Sequence, residues 1–231
     1  MTSLNTIILS LIGGILPSLL WLWFWLKEDR LHPEPKLRVL AVFFIGMIMV
    51  FIALPIEKFI YQATLYGVSI FTIILWASTE EIVKYIGANL TALKNKVVDE
   101  PIDAVIYMIT VALGFSAIEN TLFIFNLVDV GQFSQSIITG NSRFLGATLL
   151  HVASSAAIGV MIGLSFYKKP WIKKLFLVAS IGISILLHTI FNLLIIKLEN
   201  DLFFIFAGVW ILIILLIVLI EKIKKVQPNI Q

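Results

Sequence analysis

Cysteine is missing altogether from the 231 residues, which excludes disulfide bridges and thiol catalysis. Charge is scarce as well: 13% of the residues are Asp, Glu, Lys or Arg, where soluble domains carry about 25%. Hydrophobic residues make up 60% and the mean hydropathy is +1.02. A water-soluble chain of this size has no interior large enough for so much apolar surface, so lipid must be the solvent for most of it. No aqueous linker, low-complexity tract, internal repeat or nucleic-acid motif interrupts the pattern. The net charge of +3 is expected in short loops, facing lipid headgroups. No basic region precedes the first apolar run, which is expected to span the bilayer rather than serve as a signal peptide.

What the chain does have is apolar length. A span needs about 20 such residues, and seven stretches supply them: Leu4–Leu26, Leu37–Ile56, Leu65–Leu93, Ile102–Val128, Arg143–Tyr167, Leu175–Leu198 and Leu202–Ile220. The expected architecture is an all-α polytopic bundle of about seven spans, with residues 1–231 forming one membrane-embedded domain. The basic residues between the spans alternate in number. Thirteen fall on one side: Lys27, Arg30, Lys36, Arg38, Lys94, Lys96, Lys168, Lys169, Lys173, Lys174, Lys222, Lys224 and Lys225. The other side has Lys58, Arg143 and Lys197. Since cytoplasmic loops carry the excess of basic residues, the N-terminus is expected outside and the C-terminus in the cytoplasm, as a multi-pass protein of the cell membrane.

Against this apolar background the intramembrane polar groups stand out. An Asp, Lys or Arg at mid-membrane costs roughly 2.5–3.5 kcal/mol on insertion scales, so ionisable groups there mark function by default. The third span carries Ser78-Thr79-Glu80-Glu81 and Lys84, the fourth Glu119-Asn120, the fifth His151, and the sixth His188 and Asn192. At about 1.5 Å of rise per residue, Glu119, His151 and His188 lie roughly 12–15 Å below the same membrane surface. Glu80 and Glu81 come out somewhat deeper. Glu80 and Lys84 are four residues apart, as are His188 and Asn192, so each pair shares a helix face. His151 lies on a seam with Ala147, Ser155, Gly159 and Gly163, and His188 on one with Ser180 and Ser184. Small residues let membrane helices approach closely, so these seams are expected to be packing faces that converge on the polar layer.

A carboxylate and a histidine can together take a proton from water, and a second histidine with an amide can stabilise an oxyanion in a dry site. Glu80, Glu81, Glu119, His151, His188 and Asn192 are therefore the candidate catalytic residues, with Lys84 and Asn120 in support. The same groups also suit zinc. HExxH is absent, so a metal site has to be assembled across helices from Glu80, Glu81, Glu119, His151 and His188. The residues alone leave the choice open.

Taken in order, these motifs resemble the PrsW family of intramembrane proteases, related to the CAAX-processing membrane endopeptidases. The resemblance runs through Asp29-Arg30, Pro33-Glu34-Pro35, Glu80-Glu81-x-x-Lys84, Asp99-Glu100-Pro101-x-Asp103, Tyr107, Gly114-Phe115-x-Ala117-x-x-Glu119-Asn120, Arg143, His151, Gly159 and His188-x-x-x-Asn192. It departs at Ala104, where a glycine is common, and at Phe191, where tryptophan is common. It implies hydrolysis of membrane-anchored proteins, such as anti-sigma-factor-like regulators, in or beside the bilayer. It further implies that Glu80 and His151 activate water while His188 and Asn192 form the oxyanion site, and it leaves the roles of Glu81 and Glu119 open, as it does the choice between glutamic and metallo chemistry. Two rival readings use the same residues. One is a rhomboid-like serine protease built on Ser116 and His188; the other is a metal-ion or proton transporter lined by the Glu/His layer.

Overall fold

The computed structural model describes residues 4–30, 32–197 and 202–227. Among these there are helices and no strand. They are α1 (Leu4–Trp25), continued by a 3₁₀ turn at Leu26–Asp29, α2 (Lys36–Ala63), α3 (Ile70–Ala88), α4 (Asp103–Asp129), α5 (Phe133–Ser142), α6 (Thr148–Leu164), α7 (Pro170–Lys197) and α8 (Leu202–Ile223). Among the described residues, six helical segments are long and apolar enough to cross a membrane: Leu4–Asp29, Lys36–Ala63, Asp103–Asp129, Phe133–Leu164, Pro170–Lys197 and Phe203–Ile223. The remaining expected span, the third, is α3, whose middle holds Glu80, Glu81 and Lys84. Large apolar side chains such as Ile12, Trp23, Phe44, Phe51, Phe203 and Ile211 face outward, as a lipid solvent requires.

The helices follow the expected spans with four adjustments, the first being that the second span runs on from Ile56 to Ala63. The third begins at Ile70 rather than Leu65, because Leu65 and Tyr66 take φ of 56° and 57° and turn the chain. Ser69 then starts α3 with a capping box, its hydroxyl accepting the Thr72 N–H at 3.1 Å, which satisfies an otherwise unpaired first-turn donor. The fifth is preceded by α5, joined to α6 through a π-helical turn at Arg143–Ala147. Its polar residues, among them Ser134, Gln135 and Asn141, hide it from an apolar-length reading. The sixth runs Pro170–Lys197; Leu198, its expected end, lies outside the described residues.

The late start of α3 removes the depth discrepancy. Glu80 stands ten residues from Ile70, Glu119 ten residues before Asp129, and His188 nine before Lys197. All three come to one level.

Helix α4 is the axis of the bundle, buried on every face from Asp103 to Ile118. Where α2 crosses it, Gly46 faces the Val111 carbonyl and Gly114 faces the Phe43 carbonyl so closely that a Cβ on either would collide with backbone. Gly159 of α6 meets Ala104 and Val105 in the same manner. Backbones approaching this closely are the small-residue packing of membrane helices; it seats α6 on α4, and α7 packs in turn on α6 and α3.

Candidate active site

Two adjacent glutamates on α3 have opposite surroundings. Glu81 is fully buried, and five groups donate to its carboxylate. Lys84 Nζ (2.7 Å), His188 Nδ1 (2.8 Å) and Ser154 Oγ (3.1 Å) reach Oε1, while Ser155 Oγ and Ser184 Oγ (2.8 Å each) reach Oε2. Those donors come from α3, α6 and α7, so one carboxylate ties three helices together. Its lone pairs are all engaged, and none is left for a substrate proton.

Glu80 has no such partners. Its Oε2 is buried without a hydrogen bond, yet it lies 3.4 Å from Lys84 Nζ, 3.7 Å from His151 Nδ1 and 3.8 Å from His188 Nε2. Buried polar atoms are nearly always bonded, and an exception asks for an explanation.

The imidazoles are held by their far sides. His188 gives its Nδ1–H to Glu81, which leaves the Nε2 lone pair facing Glu80. His151 places Nε2 at 2.7 Å from Glu119 Oε2, and its Nδ1 accepts from Lys84 at 2.9 Å. Lys84 can only donate, so the hydrogen-bond network assigns His151 the Nε2–H tautomer and His188 the Nδ1–H tautomer. The two rings meet edge to face at 5.1 Å.

Glu119 is clamped from the other side by Arg143, whose Nη2 is 2.8 Å from Oε2. Arg143 Nε also donates to Asn120 Oδ1 at 2.5 Å, and Asn120 Nδ2 donates to Ser116 and Thr148 at 3.2 and 2.9 Å. The π-helical turn before α6 is what brings Arg143 to this pair. Asn192 makes no hydrogen bond to this network and instead lines a cavity of about 940 Å³, together with Glu57, Trp76, Glu80, Glu119 and Arg143.

The structure therefore gathers Glu80, Glu81, Lys84, Glu119, His151 and His188 into one contact network, with Asn120 at its edge and Asn192 on the cavity wall. Ser155 and Ser184 were expected only to pack and Ser154 was given no role; all three complete the Glu81 hub. Arg143 and Glu57 were given no role by the sequence. Ser116 bonds to Thr148 and Asn120 and to no imidazole, so it lacks the base that a serine nucleophile needs.

The chain matches the PrsW family intramembrane metalloprotease profile over residues 34–220. It belongs to that family. Protease PrsW of Bacillus subtilis is 27% identical over 199 residues, covering 83% of this chain and 85% of that one. Protease PrsW of Geobacillus kaustophilus is 26% identical over 195 residues, covering 81% and 80%, and that of Clostridioides difficile 28% identical over 187 residues, covering 78% and 76%. No solved structure matches. As a member of the family, the protein is a multi-pass intramembrane protease acting on protein substrate in the membrane, and the transporter and rhomboid readings give way.

Proposed function

We propose that this protease cleaves membrane-anchored regulators, anti-sigma-factor-like by resemblance, with Glu80 as the base that activates water. The observation that carries the reading is Glu80 Oε2, buried and unbonded between two imidazoles on the wall of the cavity.

The same atoms fit a metal once His151 Nδ1 is released from the Lys84 ammonium that it accepts from at 2.9 Å. One atom each from Glu80, His151 and His188 lies within 4.8 Å of the others. The Glu80–imidazole separations of 3.7 and 3.8 Å are close to the roughly 3.4 Å between ligands around tetrahedral zinc. His188 Nδ1 donating to Glu81 and His151 Nε2 to Glu119 are the carboxylate–histidine pairs that orient metal-binding imidazoles. Glu80, His151 and His188 would hold zinc, which when bound supplies Lewis-acid polarisation and a more acidic water.

The chain's own groups do the rest. A water between Glu80 Oε2 and His188 Nε2 can donate to both, which turns its oxygen toward the cavity. As that oxygen bonds to the peptide carbonyl carbon, its proton passes to Glu80. The Glu80 O–H then protonates the amide nitrogen as the C–N bond breaks, releasing a carboxylic acid and an amine. Asn192 offers an amide N–H to the carbonyl oxygen as charge develops there. His188, with its Nδ1–H given to Glu81, presents an acceptor; we therefore group it with the water, where the resemblance alone would assign it to the oxyanion. His151, fixed by Glu119 and Lys84, is Glu80's other imidazole neighbour.

The test is cleavage of a membrane-anchored substrate by protein reconstituted in liposomes, with metal content measured. Glu80→Gln should lower turnover by about 10²–10⁴-fold, the scale of a lost general base. Full cleavage by Glu80→Gln would overturn the assignment. Activity lost to a chelator and restored by zinc would support the metallo mechanism; activity indifferent to a chelator in metal-free protein would count against it.

A further inference from the structure

A second acidic cluster sits at the opposite end of α4 from Glu119, built from motifs that the active site does not use. Asp29 ends the 3₁₀ turn after α1, Glu34 lies in the connection to α2, and Asp103 opens α4. All three are buried, at 5%, 8% and 1% exposure. One carboxylate oxygen from each lies within 4.8 Å of the others.

Part of this cluster is satisfied by the protein. Asp103 Oδ2 accepts the backbone N–H groups of Asp99 and Glu100 at 2.8 and 2.7 Å. Tyr107 donates its hydroxyl to Glu34 Oε2. Asp29 Oδ2, in contrast, is buried without a hydrogen bond, although the Glu34 backbone N–H reaches the Asp29 carboxyl and Glu34 shares a hydrogen bond with Asp103. No salt bridge reaches any of the three among the described residues, and Arg38, one turn into α2, is turned to the Thr91 carbonyl at 2.6 Å. Burial, offset in part by the tyrosine, pushes the Glu34 carboxyl up to about 8. Gathering buried carboxylates with no cation in direct contact is costly, His32 acting on Asp29 only from a distance, and a bound cation offsets that cost.

We propose that Asp29, Glu34 and Asp103 form a second cation site, distinct from the Glu/His site, that takes a hard divalent ion of the Mg²⁺ or Ca²⁺ class. The donor set is all oxygen, which suits those ions. It has no imidazole, where the active-site cluster has two and suits zinc. An ion there ties the α1–α2 connection to the head of α4, the helix that carries Glu119.

The probe is Mn²⁺, titrated into the purified full-length protein in detergent and counted by the loss of the free-ion electron paramagnetic resonance signal, with Mg²⁺ and Ca²⁺ as competitors. With zinc present to occupy the Glu/His site, the expected result is one saturable Mn²⁺ site that either competitor displaces. Asp29→Asn and Glu34→Gln should each weaken it by at least about tenfold, the scale at which changes around a metal act. His188→Ala should leave it in place. A wild-type protein that binds no Mn²⁺ saturably overturns the proposal, whatever the variants do. So does a Mn²⁺ site that survives Glu34→Gln and disappears in His188→Ala; the ion would then belong to the active site, and the acidic cluster would be a proton-sharing group alone.

Discussion

Replacing Glu81 by glutamine is expected to loosen the helix bundle far more than the same change at Glu80, although the two side chains are neighbours on α3. The Glu81 carboxylate is the main counter-charge of Lys84, which is fully buried. Removing one partner of a buried ion pair costs about 3–5 kcal/mol. Glu80 remains 3.4 Å from Lys84 and recovers part of that, so a loss of about 2–4 kcal/mol is expected. The three serines add little to the loss, because a hydroxyl can rotate to accept from an amide and interhelical hydrogen bonds in membranes average about 0.6 kcal/mol. Glu80 Oε2 makes no hydrogen bond, so Glu80→Gln should change stability by about 1 kcal/mol or less. Thermal unfolding of both variants in detergent, followed by tryptophan fluorescence, makes the comparison. Ser184→Ala serves as a graded control worth about 0.6–1.7 kcal/mol. Cleavage in liposomes is measured in parallel: Glu80→Gln should be stable and inactive, and Glu81→Gln unstable. Equal destabilisation by the two changes, or a Glu81→Gln protein that melts like wild type, would refute the division of labour between hub and base.

Ser116→Ala should leave cleavage largely intact, because the hydroxyl it removes is bonded to Thr148 and Asn120; abolished turnover would revive a serine mechanism. Arg143→Ala frees Glu119 from its clamp and, on the proposed metal reading, should lower turnover by about 10–100-fold, as when the carboxylate supporting a ligand histidine is disturbed. Gly114→Ala drives a methyl group into the Phe43 carbonyl and should cost about 1–3 kcal/mol in the same melting assay. Single cysteines placed beside Lys94 and Lys168, in a chain that has none of its own, should be shielded from an impermeant thiol reagent in intact cells, while one beside Lys58 should react; the reverse pattern would invert the expected orientation.

The spans were readable because lipid sets a minimum apolar length, and that constraint acts on composition alone. Their edges were not, because an apolar residue in a turn looks like one in a helix. Leu65, Tyr66 and Val68 extend the third apolar run past the point where the backbone reverses. Polar α5 shows the converse error: a helix joined to α6 escapes notice because its surface is not uniformly apolar. The ionisable residues of the site were readable for the same reason as the spans. Each would be too costly in lipid without a partner.

Which partner each one finds is a different kind of information. Glu80 and Glu81 are the same residue type side by side, but successive helical side chains point about 100° apart, so one faces the cavity and the other faces α6 and α7. Nothing in a single sequence says which. The serines did carry a usable sign. Ser155 lies one turn from His151 and Ser184 one turn from His188, so each shares a face with an intramembrane histidine. Read as small residues they predict close packing, and that packing is present. Read as donors at the depth of a buried carboxylate they predict the hub as well, since a charge placed in lipid must be met by hydrogen bonds from whichever helices pack against it. The two readings are one: close approach of the backbones is what allows short serine side chains to reach Glu81, and full satisfaction of Glu81 is what leaves Glu80 as the unbonded carboxylate facing the cavity.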